Sequence, residues 1–237
     1  MLPSPSARPA APARASAFVI ETAALRPDGS RVIAQTRVPT IPLFETAFAA
    51  LGRGTVLEGR DGPIAIEDLQ PGDALRTSDG DDAQVTWIGA STFVPADAGR
   101  RLPLVRIMAD TFGVARPGGF LTLGPAARIL QTPPRLAGSA AGQRLLTPAR
   151  EFVDGMNVIE ISPPTPIRLF HLCLSRHAAV IADGMEVETF HPGSGPLRTA
   201  PQKIQELFIS LFPRIDHIGD FGPLAHPRAP EASDSAA

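Results

Sequence analysis

Cysteine, lysine and tryptophan each occur once in these 237 residues, at Cys173, Lys203 and Trp87. A single cysteine excludes an internal disulfide framework and fits a reducing compartment. With lysine almost absent, arginine supplies the positive charge, a bias that reads as a high-GC coding sequence before it reads as a phosphate-binding surface. Net charge is equally scant: −2 at pH 7, with a pI near 6.2, leaves no electrostatic case for nucleic acid or an anionic membrane. No apolar run approaches the ~20 residues of a membrane helix. After Met1 and Leu2, residues 3–15 are Pro, Ala, Ser and Arg without the apolar stretch of a secretory signal. These absences predict a soluble, cytoplasmic chain that contacts neither nucleic acid nor membrane. There is no period of 20–50 residues, so a solenoid is excluded.

What is present reads as one domain of a size that buries a sound core, with tails. Residues 1–16 form a leader without order-promoting composition, and folded structure begins at Ala17-Phe18-Val19-Ile20. Arg26-Pro27-Asp28-Gly29-Ser30 carries turn chemistry between two apolar segments, which predicts a β-hairpin. Leu43 to Leu51 has the spacing of a short helix, so residues 17–50 form a hairpin-and-helix unit. From Gly54 to Thr189 short apolar runs alternate with Gly, Pro and Asp: Thr55–Glu58, Ile64–Ile66, Asp73–Thr77, Ala83–Thr92, Leu104–Met108, Phe120–Leu123, Arg128–Gln131, Val158–Ile161, Ile167–Ser175 and Ala178–Thr189. Runs of that length with turns between them predict an all-β domain. Trp87 reads as a core anchor. Pro201 to Leu211 has the apolar stripe of a helix, with Pro at its start, and Pro213 ends it. The domain is drawn over residues 51–226, and residues 227–237 read as a disordered tail.

Three stretches carry a resemblance. The first is Phe48-Ala49-Ala50-Leu51-Gly52-Arg53-Gly54-Thr55, followed by Gly62-Pro63-Ile64-Ala65-Ile66-Glu67-Asp68-Leu69-Gln70-Pro71-Gly72-Asp73. The second is Gly124-Pro125-Ala126-Ala127-Arg128, and the third runs from Phe170-His171-Leu172-Cys173-Leu174-Ser175-Arg176-His177 through Asp183-Gly184 to Glu188-Thr189-Phe190. With the Phe221–Arg228 ending they span roughly 170 residues, about one domain. In order and spacing they resemble a bacterial Hint (Hedgehog/intein) domain. The resemblance implies a flattened horseshoe of two pseudo-symmetric β subdomains with a short C-terminal helix. It also implies self-processing, in which a cysteine attacks the preceding carbonyl and a Ser/Thr-x-x-His element assists.

At the positions that carry this chemistry the chain departs from the pattern. Ala50 stands where the family has its first cysteine, and a methyl group cannot attack a peptide bond. Gly124 and Ala127 stand at the family's Ser and His, while Ser175 replaces an aspartate and Glu188-Thr189 an intein-type His-Asn ending. The expected function is therefore a catalytically degenerate Hint domain, without splicing or autocleavage, retained as a structural or interaction module with a possible protein partner. Residues 17–50 would occupy the place of the segment an active member releases, and would stay attached.

One polar set could have taken over. On an unbroken strand His171, Cys173, Ser175 and His177 share a face. That face reads as a small buried cysteine between satisfied histidines, as a recruited thiol with a histidine base for an autoprocessing or thiol-dependent activity, or as zinc ligands lacking an obvious fourth. No cofactor and no metal is assigned. His191, His217 and His226 read as turn or surface residues, and Asp79-Gly80-Asp81-Asp82 and Asp154-Gly155 as turns.

Overall fold

The computed structural model describes residues 17–94, 102–138, 142–193 and 195–230. The expected leader (1–16) and the last seven residues of the expected tail lie outside them. In chain order the strands are β1 Ala17–Leu25, β2 Arg31–Pro39, β3 Leu51–Gly52, β4 Val56–Gly59, β5 Gly62–Ala65, β6 Ala74–Arg76, β7 Asp82–Phe93, β8 Leu104–Ile107, β9 Leu121–Leu123, β10 Arg128–Leu130, β11 Leu146–Pro148, β12 Val158–Ile161, β13 Ile167–Leu174, β14 Ala179–Ala182 and β15 Met185–Glu188. The α-helices are α1 Pro42–Ala47, α2 Pro196–Thr199 and α3 Gln202–Ile209. The expected all-β class holds.

Strand β7 organises the sheet. Its first residues pair with β6, and its later ones with β13 on one side and β1 on the other. The ladder continues from β13 through β3, β9 and β8 to β12, and from β6 through β4, β14, β15 and β10 to β11. The first hairpin forms as its turn sequence requires. Asp28 accepts from the Ser30 N–H at 2.9 Å, and Gly29 takes φ +84°, where a side chain would be strained.

The 17–50 segment is an integral part of this sheet. β1 pairs with β7 from Glu21↔Ala90 to Ala24↔Trp87. Ile20, Val38, Phe44 and Phe48 join a core of Trp87, Phe190, Phe208 and Phe212. Trp87 is the expected anchor: its ring stacks on Phe212 at 4.4 Å and its N–H donates to the Leu211 carbonyl at 2.7 Å.

Several elements differ from the sequence expectation. The helix predicted over Leu43–Leu51 stops at Ala47, because the Ala50 N–H is drawn to the Phe170 carbonyl at 3.0 Å and Leu51 enters β3. The Ala178–Thr189 run is two strands, split where Asp183 and Gly184 turn at φ +48° and +78°. β11 and α2 were not foreseen. The Pro201–Leu211 helix is α3.

The tail expected from Pro227 is also corrected over its first four residues. Leu146 N–H donates to the Pro227 carbonyl at 2.9 Å, Ala229 N–H donates back to Leu146 at 3.0 Å, and Arg228 reaches Glu188. Composition offers nothing apolar to bury there; one buried carboxylate on a distant strand holds the segment in place. Among the described residues, no helix is long and apolar enough to cross a membrane.

Candidate functional site

The fold brings Ala50, Gly124 and Ala127 together. β3 and β9 pair through Leu51↔Leu123, which sets the residues just outside each strand against one another. Gly124 N–H donates to the Ala50 carbonyl at 2.8 Å, and Ala126 N–H donates to the Ala49 carbonyl at 2.9 Å. The approach is close enough that a Cβ at Gly124 would lie 2.2 Å from the Ala49 oxygen and 2.6 Å from its carbon. Ala50 and Ala127 are buried in one apolar cluster with Leu51, Leu123 and Phe170. The centre of the expected site is filled by backbone and methyl groups.

A buried charge cluster lies on its flank. Glu188, at the end of β15, is only 5% exposed. Its Oε1 accepts from Arg228 Nε at 2.9 Å, and Arg128 Nε lies 3.6 Å from Oε2. His177 Nδ1 accepts from the Ala225 N–H at 2.9 Å, so its proton is on Nε2, 3.2 Å from Glu188 Oε1 but off the hydrogen-bond line. Burial would raise the Glu188 pKa. The opposing pull of His177, Arg228 and Arg128 wins, and the carboxylate is held below its usual range. In the sequence alone Glu188 reads only as a departure from an intein-type His-Asn ending. A carboxylate closing an apolar run, with arginines at 128 and 228, was the available signal.

Residues 49–194 match the Hint domain family. The chain belongs to the Hint domain family. Solved structures with a similar trace include the MchDnaB-1 intein, at 15% identity and a TM-score of 0.37, over 60% of this chain and 100% of that one. Its N145AA form gives 15% identity and a TM-score of 0.36, over 59% and 98%. No curated protein matches the chain.

In this Hint domain the expected polar face of β13 does not form as one row. The strand has a bulge after Cys173 and ends at Leu174, so Ser175 and His177 leave it. His171 stays on β13, its ring edge-on to Phe190 at 5.2 Å. Burial lowers its pKa from the ordinary 6.5 to about 4, against the opposing pull of Glu188. Cys173 is half-buried against the aromatic core, its Sγ 3.8 Å from the Phe190 carbonyl, and desolvation pushes its thiol far up. Iodoacetamide is accordingly expected to label Cys173 in the folded protein well below the rate of a model thiol, and at the model-thiol rate in urea. Equal rates in both conditions would reject that environment.

Among the described residues no group of three or more His, Cys, Asp or Glu side chains is placed to hold a metal ion. The remaining polar residues have local partners. Asp79 is held down at about 2 by the Thr77 hydroxyl and Arg176. Asp154 accepts from the N–H groups of Met156, Asn157 and Val158, as a turn aspartate does. His191 is half-buried, its Nδ1 accepting from Gly193 and its Nε2 2.9 Å from the Gly222 carbonyl. The Asp220 carboxylate accepts from the His217 N–H, and His226 meets Ser78 at 3.3 Å.

Proposed function

We propose that this Hint domain is catalytically degenerate: it neither splices nor cleaves itself, and serves as a structural or interaction module. The observation that carries this reading is the contact between Gly124 and the Ala49 carbonyl. Cleavage by the family's route needs a nucleophile on residue 50 and a group near residues 124–127 that protonates the departing amine. Ala50 offers a methyl group, Ala127 another, and the site at Gly124 has no space for a Cβ. The Ala50 amide that would depart is tied to Phe170.

The placement of residues 17–50 supports the same reading. A break between Ala49 and Ala50 would leave β1 in the sheet and Phe44 and Phe48 in the aromatic core. Such a product would not separate from the rest of the fold. A thiol-dependent activity through Cys173 is the competing reading, and the raised pKa of that half-buried thiol weighs against it.

Intact mass after prolonged incubation, with and without added thiol, tests the proposal. A single species at 25.0 kDa is expected throughout. Fragments ending at Ala49 would overturn it. Ala50→Cys is expected to remain intact as well, because a restored thiol still lacks an acid at residue 127.

A further inference from the structure

Beside the filled centre, outside the apolar cluster, is a cleft of about 490 Å³. That volume falls within the usual range for small-molecule sites. Its lining includes Thr46, Ala126, Arg128, Arg150, His171 and Arg228, with one carboxylate, Glu188. Three arginines therefore face one acid.

That acid is already engaged. Arg228 commits Nε and Nη2 to Glu188 and the His191 carbonyl, and Arg128 sits 3.6 Å from the other Glu188 oxygen. Arg128 and Arg228 nevertheless keep 28% and 23% of their side chains exposed, and Arg150 is exposed. The guanidinium group carries five N–H donors in a planar fork suited to carboxylate or phosphate. His171, 6% exposed, lies in the same lining; burial keeps it neutral, so it contributes a ring to the cleft wall and no charge.

We propose that this cleft binds a small oxyanion, a carboxylate or a phosphate monoester, clasped by Arg150, Arg128 and Arg228 with His171 in its wall. The three arginines line the cleft of a chain whose net charge is −2, which favours a small anion over a polyanion. The proposal goes beyond the loss of cleavage and is independent of it, because a chain that cleaved itself could still bind an anion here.

Isothermal titration with inorganic phosphate and, separately, with succinate, at constant ionic strength and with choline chloride as control, tests it. Saturable one-to-one binding of at least one probe is expected, and the tighter of the two names the class. Arg150→Glu is expected to weaken that binding by about tenfold or more, the scale of a lost charge-assisted hydrogen bond. Its melting temperature without ligand should be unchanged, since Arg150 is exposed. Absence of saturable binding by either probe, or unchanged binding in Arg150→Glu, would overturn the proposal.

Discussion

Gly124→Ser, the substitution that restores the family's residue, is expected to destabilise this protein by about 1–3 kcal/mol or more, the range of core overpacking. The added Cβ would meet the Ala49 oxygen at 2.2 Å, a distance no van der Waals contact allows. The obstacle is backbone, which a rotamer change cannot move aside. Either the Gly124–Ala50 and Ala126–Ala49 hydrogen bonds stretch or β9 shifts against β3. Urea denaturation would register a lower midpoint. Gly119→Ser is the control, since a Cβ there meets nothing within 4 Å. Equal midpoints for the two variants would show that the centre yields, and with it that a serine could be accommodated.

Glu188→Gln is expected to cost about 1–3 kcal/mol, because it removes the buried carboxylate that pairs with the partly exposed Arg128 and Arg228. Part of that loss is the release of residues 227–230, which Arg228 holds to the sheet edge beside Leu146. Hydrogen exchange at the Ala229 amide should therefore rise with the drop in stability. A variant with an unchanged urea midpoint and an unchanged Ala229 amide would show that the cluster is dispensable.

The pH dependence has a definite sign. Glu188 is held below its ordinary 4.5, so its contribution is complete above that value and is lost as pH falls toward the folded pKa. His171 acts in the same direction over an earlier window. Folded His171 stays neutral down to about 4 while the unfolded chain takes up its proton near 6.5. Stability therefore falls between those values, by roughly 3 kcal/mol in all. In Glu188→Gln the decline from pH 6.5 to 4 should persist, and Glu188's share below 4.5 should vanish.

Much of the fold was legible because the signals are local. The hairpin turn at Arg26–Ser30, the strand at Val158–Ile161 and the helix before Pro213 follow from turn residues and apolar spacing acting over a few positions. Trp87 was legible as an anchor by size alone. The end of α1 was not, since the Leu43–Leu51 spacing suits a helix and only the pull of Phe170 on Ala50 stops it at Ala47. Nor was the division of β13 from His177, because a bulge leaves no mark in a period-two pattern.

The candidate site divides in the same way. By itself the sequence determined that residue 50 has no nucleophile and residue 127 no acid, since side-chain chemistry is a property of residue type. Order and spacing were enough to place the chain near the Hint family. Whether the space around residues 50, 124 and 127 is open or filled was decided by tertiary structure, through the distance between two backbones, Gly124 and Ala49, 75 residues apart. The arginines, which composition alone reads as a coding bias, are gathered from β10, the turn after β11 and the chain end around Glu188 and the cleft. Burial of one carboxylate makes those long-range partners obligatory, and burial is set only when the strands have packed.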